Sequence, residues 1–368
     1  MRTGICDELG IEYPVFGFTP SEHVAAAISR AGGMGVLGCV RFNDVDELDA
    51  ALRYLDENTD GRPYGVDVVM PATVPSEGTA AELERLIPQQ HKDFVAETLR
   101  RLGVPPLPDD GDPRREGVLG WLHSVARSHV DVALQHPIRL IANALGSPPP
   151  DVIERAHAAG VPVAALAGKA EHARSHVAAG IDVVVAQGTE AGGHTGEIST
   201  VVLTPEIVDA VGDGARVLAA GGIGSGRQVA AALALGASGV WMGSYWLTTC
   251  EYRLAGPADA IKQALVAARS DQTVRSRIYS GKPARLLKNR WTDAWEAEGA
   301  PPALPMPLQN LLVSEAHERI MAAGDPTVVS MPVGQIVGRM NSVRPVAELM
   351  AELVAECDET IVRLGTLR

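Results

Sequence analysis

One short grammar recurs along the chain: an alanine-rich stretch closes on glycine, a run of apolar residues follows, and a second glycine ends the run. It is spelled Ala31-Gly32-Gly33-Met34-Gly35-Val36-Leu37-Gly38, and again Ala159-Gly160-Val161-Pro162-Val163-Ala164-Ala165-Leu166-Ala167-Gly168. Two more copies are Ala179-Gly180-Ile181-Asp182-Val183-Val184-Val185-Ala186-Gln187-Gly188 and Leu235-Gly236-Ala237-Ser238-Gly239-Val240-Trp241-Met242-Gly243. The first glycine suits the left-handed position that ends a helix. The run after it is apolar throughout rather than at alternate residues, as in a strand buried on both faces. Helices and strands alternating in this way make a parallel sheet.

Eight such strands can be placed, at Val15–Phe18, Gly35–Gly38, Gly65–Met70, Ile138–Asn143, Pro162–Ala167, Asp182–Gln187, Val217–Ala220 and Gly239–Met242. The predicted fold class is therefore α/β, a (β/α)8 TIM barrel; a doubly wound open sheet is the alternative. At 368 residues the chain exceeds the ~250 that such a barrel takes. Residues 71–135 carry part of the excess and read as helical pieces and a proline-rich loop, Pro105 to Pro113, inserted as a cap over one mouth. Residues 253–368, broken at Ala300-Pro301-Pro302-Ala303-Leu304-Pro305-Met306-Pro307, read as a helical appendage on the same face with no core of its own. The expected division is a barrel over 1–252, cap included, and the appendage after it.

Loops at the carboxyl ends of barrel strands are where this fold keeps its chemistry. Ala186-Gln187-Gly188-Thr189-Glu190-Ala191-Gly192-Gly193-His194-Thr195-Gly196 follows the apolar Val183-Val184-Val185. Its glycines let the backbone approach a flat ligand or take up positive φ. Its strongly polar side chains are Gln187, Glu190 and His194. An ordinary histidine can take or give a proton near neutrality, although many lone histidines only make structural hydrogen bonds. Glu190 suits bonding loop amides or holding the histidine.

A second glycine loop, Ala219-Ala220-Gly221-Gly222-Ile223-Gly224-Ser225-Gly226, joins Val217-Leu218 to a helix that Ser225 can cap. Bare amides at a helix start make an anion site, and the next strand adds Met242-Gly243-Ser244. Loops after strands seven and eight are a common phosphate location in barrels. With Arg227 three residues after Gly224 there is no dinucleotide fingerprint, and no P-loop lysine is present. A cofactor with one phosphate fits, FMN best.

Composition narrows the partners. A net charge of -13 argues against nucleic acid or an anionic membrane, and 4% aromatic residues leave no stacking stripe. Cys6, Cys39, Cys250 and Cys357 form no Cys-x-x-Cys pair, and His91, His123, His129 and His136 show no ligand spacing, so no metal is expected. Scattered cysteines, and a start that reaches Asp7 and Glu8 before any apolar run, point to a cytoplasmic protein. Val229–Leu247 is uncharged over a membrane-like length, but its glycines divide it into a helix and a strand. Trp291 and Trp295 read as a packing pair on one helix face. Lys169 reads either as a surface lysine or as a partner for the phosphate or an anionic substrate.

These segments resemble the nitronate monooxygenase family, formerly called 2-nitropropane dioxygenases, over nearly the whole chain. The likeness takes in Leu9-Gly10-Ile11-Glu12-Tyr13-Pro14, Gly65-Val66-Asp67, the two glycine loops, Met242 to Leu247, Tyr279-Ser280-Gly281-Lys282-Pro283-Ala284-Arg285 and the late pair Gly334-Gln335. The resemblance implies an FMN-dependent (β/α)8 oxidoreductase. By position it implies flavin contacts at Gln187, Gly192 and Gly193, phosphate and ribityl contacts at Gly221, Gly222, Trp241, Met242, Gly243 and Ser244, and a catalytic role for His194. Asp67 stands where the family commonly has asparagine beside the flavin. The first strand departs most: Val15-Phe16-Gly17-Phe18-Thr19-Pro20-Ser21-Glu22-His23 replaces the family's glutamine- or proline-containing glycine-methionine turn. Phe18 and Thr19 would then neighbour the flavin, and His23 either enters near the mouth or faces outward from the first helix.

The implied activity is oxidation of alkyl nitronates by dioxygen to a carbonyl compound and nitrite. The alternative is an NAD(P)H-dependent FMN reductase of the same superfamily acting on a quinone or an enoyl thioester; enoyl-reductase relatives share the glycine-glycine-histidine segment. A catalytically idle flavin- or metabolite-binding protein is a third reading, against which His194 speaks. A homo-oligomer is compatible with all three.

Overall fold

All eight apolar runs form strands in a computed structural model, which describes residues 1–70, 80–107, 123–253, 258–329 and 331–367. The strands are β1 (Val15–Thr19), β2 (Met34–Gly38), β3 (Tyr64–Val68), β4 (Ile141–Asn143), β5 (Val163–Ala167) and β6 (Val183–Gln187), then a short β7 (Gly193–His194), β8 (Arg216–Ala220) and β9 (Gly239–Met242). All but β7 pair in parallel, and β9 returns to β1 through Val15↔Val240 and Gly17↔Met242, which closes the barrel. The open-sheet alternative is excluded.

Alternation along each strand sorts the side chains. Phe16, Met34, Val36, Ala142, Ala164, Val185, Leu218 and Trp241 fill the interior. The alternate strand residues Leu37, Val66, Val184 and Val217 lie outside, beneath the helices. Each fully buried valine or leucine is worth about 1.5–3 kcal/mol, so the continuous apolar runs stabilise both layers. A helix over Gly4–Leu9 inserts Ile5, Cys6 and Leu9 into the same interior. Thr3 donates its hydroxyl to the Ser238 carbonyl at 2.5 Å, and Glu8 pairs with Arg216, both at strand starts. This plug, not foreseen from the sequence, shuts the amino-terminal face and leaves the carboxyl-terminal mouth for chemistry.

The carboxyl-terminal region differs from a simple helical appendage in two ways. Its last helix, Val346–Gly365, packs between the helices Gly226–Ala234 and Glu22–Arg30. Val346, Leu349, Met350 and Leu353 share one cluster with Ala27, Ile28 and Val229. That helix is the eighth member of the barrel wall, so a boundary at residue 252 cuts the wall. Gly226 permits the approach: a Cβ there would lie 2.4 Å from Cys357 N and Leu353 O.

The region before that helix also carries an antiparallel hairpin, β10 (Thr273–Ser276) and β11 (Ala284–Leu287), on which β7 adds a third strand. Ile278, Leu286, Trp291, Trp295, Val313 and Ile320 pack with Val95, Leu99 and Val104 of the insertion in a core separate from the barrel's. The expected absence of a core was wrong, because insertion and appendage supply it jointly. Trp291 and Trp295 are the packing pair anticipated, edge to face at 6.0 Å, with Phe94 4.8 Å from Trp295. Within the 71–135 cap, residues 71–79 and 108–122, including the end of the proline-rich loop, lie outside the described residues. Among the described residues no helix is long and apolar enough to cross a membrane.

Candidate active site

The period-two alternation that fills the barrel also aims Asp67, at the end of β3, and Gln187, at the end of β6, toward the carboxyl-terminal mouth. Trp241 points inward too, and its indole stacks with Phe16 at 6.4 Å and Phe18 at 6.2 Å between centroids. Met242 points the other way, into the wall cluster, so only its backbone can serve the mouth. Phe18 stands over the mouth against Gly38 and Gly243, 3.0 and 3.5 Å from where their Cβ atoms would be. Thr19 is buried and accepts the Ser21 N–H at 3.1 Å. His23 packs edge-on against Tyr54, centroids 4.6 Å apart, in the wall. Of the three unusual first-strand residues, Phe18 alone leans over the mouth.

The loop after β8 turns on two left-handed residues, Gly221 (φ 99°) and Gly222 (φ 71°), a conformation that side chains oppose. Gln228 ties it down, donating to the Gly222 carbonyl and accepting from Gly224 N–H and the Ser225 hydroxyl, both at 3.0 Å. Ser225 caps the helix as its sequence position suggested, accepting the Gln228 N–H at 3.3 Å. The helix start itself differs from expectation. Glu356, from the last helix, accepts Gly226 N–H at 2.7 Å and pairs with Arg227 at 2.7 Å, so a carboxylate already stands where an anion was foreseen. The amides of Gly222, Ile223, Gly243 and Ser244 make no hydrogen bond with the protein among the described residues. The free backbone donors among the described residues therefore lie along the loops, not at the helix end.

The histidine loop is clamped from behind by residues near the chain's end. A Cβ on Gly192 would lie 2.7 Å from the Val333 backbone, and one on Gly334 2.6 Å from Glu190 O. Gln335 N–H donates to Glu190 O at 2.9 Å, and Gly334 N–H donates to Ser244 Oγ at 2.8 Å. The Gly334-Gln335 pair thus fastens the histidine loop to the loop after β9. Glu190 is structural: its carboxylate accepts the backbone N–H and the hydroxyl of Thr200, each at 2.9 Å, at the start of the helix Thr200–Val211. Lys169 is exposed at the start of the helix Ala170–Ala178.

Pairing of β7 with β11, His194 opposite Ala284, fixes the histidine's backbone. Gly193, with φ 76°, precedes it in the left-handed region. His194 Nε2 lies 2.6 Å from Ser280 Oγ. Burial first, and then the positive charge of Lys282, push the imidazole down to about 4, so it is neutral at neutral pH. Burial also lowers the Lys282 ammonium. Ser280 and Lys282 stand in the quoted Tyr279–Arg285 segment, but nothing local in the sequence pairs that segment with the histidine.

The comparisons place this architecture. A family model described as nitronate monooxygenase matches residues 4–356. The Mycobacterium tuberculosis protein named "Putative monooxygenase Rv1533" is 48% identical over 380 residues, which span 100% of this chain and 99% of that protein. Among solved structures, nitroalkane oxidase from Streptomyces ansochromogenes superposes with a TM-score of 0.80 at 30% identity, over 98% of this chain and 99% of the other. FabK from Thermotoga maritima does so with a TM-score of 0.75 at 27% identity, over 99% of both. The chain belongs to the nitronate monooxygenase family, oxidoreductases that are generally flavin-dependent.

Proposed function

We propose that the protein is an FMN-dependent enzyme that oxidises alkyl nitronates with dioxygen to a carbonyl compound and nitrite. The observation that carries the reading is a histidine beside a lysine at a barrel mouth, next to a row of backbone amides with no partner among the described residues.

The residues present fit FMN. The amides of Gly222, Ile223, Gly243 and Ser244 would hold its phosphate, and the turn at Gly221 and Gly222 keeps side chains out of the way. Asp67 and Gln187 would meet the polar edge of the ring system, with the backbone of Gly192 and Gly193 beside them. Trp241 contributes a packed floor beneath Phe18, and Met242 its backbone. When bound, FMN supplies the electron transfer and the reaction with dioxygen.

The protein's own part is binding and proton placement. Neutral His194 takes the α-proton of a nitroalkane, or hydrogen-bonds an oxygen of a substrate that arrives as the nitronate. Ser280 anchors its Nε2. Lys282 supplies the positive charge that a nitronate anion needs where water is excluded. The similarity to FabK supports a second reading, reduction driven by NAD(P)H.

With FMN and propyl-2-nitronate, and no nicotinamide, the protein should consume oxygen and release nitrite. His194→Asn should keep FMN but lose about 10²–10⁴-fold in turnover. Nitrite release unchanged in that variant would remove the histidine from the mechanism, and none from the wild type would overturn the reading.

A further inference from the structure

Near the carboxyl end of β3 the chain places a carboxyl that no described residue supports as an anion. Asp67 is only 4% exposed. It shares the barrel-facing side of β3 with Gly65, while Val66 and Val68 face the wall. Its lateral partners are Gly38 on β2 and Ala142 on β4, so neither flank brings a polar side chain. Among the described residues no donor reaches its carboxyl oxygens.

The described groups around it are neutral or directed elsewhere. Cys39, in the turn after β2, has its thiol pushed far up by burial and so carries no charge; Arg41 lies beyond it, paired with Glu22 at 2.6 Å. Asn143 of β4 directs its side chain to the backbone of Met70 and Gly146. Phe18, Trp241 and Gln187, which face the same mouth, do not titrate. A carboxylate withdrawn from water without a cation or a donor takes up a proton instead. Burial alone holds the Asp67 carboxyl well above the usual range.

We propose that Asp67 is a neutral carboxylic acid at neutral pH and donates its O–H as a hydrogen bond to an acceptor atom of the FMN ring system at the barrel mouth. This rests on the FMN reading above. An apolar enzyme site can keep a carboxylic acid protonated at pH 7 so that it serves as a donor. Such an acid adds no negative charge beside a cofactor that already carries phosphate. The same carboxyl would therefore bind FMN through its proton and lose that bond on ionising.

Infrared difference spectroscopy reads that proton directly. At neutral pH the apoprotein should show the carbonyl stretch of a protonated carboxylic acid, absent in Asp67→Asn, and FMN should shift it. Titrations followed by flavin fluorescence should give Asp67→Asn nearly the wild-type Kd, because an amide N–H replaces the O–H. Asp67→Leu should bind about tenfold more weakly, as expected for one lost hydrogen bond. A missing band, or a band that FMN leaves unmoved, overturns the proposal. If the band is present but the wild type binds no FMN, the FMN reading falls and the donor role with it, while the protonated acid stands.

Discussion

His194 holds a proton less readily in the fold than in water, because its ring is largely withdrawn from solvent and Lys282 stands near. With a folded pKa of about 4 against an ordinary 6.5, the native state binds fewer protons than the unfolded chain between those values. Its contribution to stability is thus fully present above pH 6.5 and is lost as the pH falls toward 4. The same shift predicts that kcat/KM for a nitroalkane stays level through pH 6.5 and falls only near pH 4. Lys282→Met should move that fall to higher pH, since removing the cation eases protonation. Nitrite release measured across pH checks both; an inflection at 6.5 in the wild type, or a downward move in the variant, would contradict the assignment. At this scale the sequence was most legible where glycine marked backbone geometry, at Gly192, Gly221 and Gly222. It was least legible where side chains meet across the chain: Ser280 lies 86 residues from His194, and Glu356 lies 130 from Gly226.

The strands were readable because a doubly buried strand needs a largely apolar run, and the chain writes such a run eight times, four of them between glycines. The last helix was readable as a helix but not as part of the barrel wall. An amphipathic face says that it must be covered and not by what. For the same reason the helix Gly4–Leu9 gave no hint that it plugs the barrel floor. Two substitutions at one contact test the placement of the last helix. Glu356→Ala removes a cap and should cost about 1 kcal/mol. Gly226→Ala drives a Cβ against the backbone of Leu353 and Cys357 and should cost about 1–3 kcal/mol or more, at or above the cap's loss. Urea midpoints give the comparison, and a Gly226→Ala protein as stable as the wild type would contradict the packing.

For the whole molecule, the excursion between β9 and the last helix links fold to chemistry. It leaves the barrel, forms a core with the insertion, and lays β11 alongside β7 before returning to complete the wall. Barrel and hairpin therefore meet at His194 while the insertion packs against the hairpin's other side chains, which explains why a reading by separate segments divided them. FMN-loaded protein mixed without oxygen, in one cell with an alkyl nitronate and in another with NADH, tests the central claim through the flavin's visible absorbance. The predicted result is loss of the oxidised flavin spectrum with nitronate alone, and its return with nitrite release when oxygen is admitted. Loss with NADH and none with nitronate would contradict it.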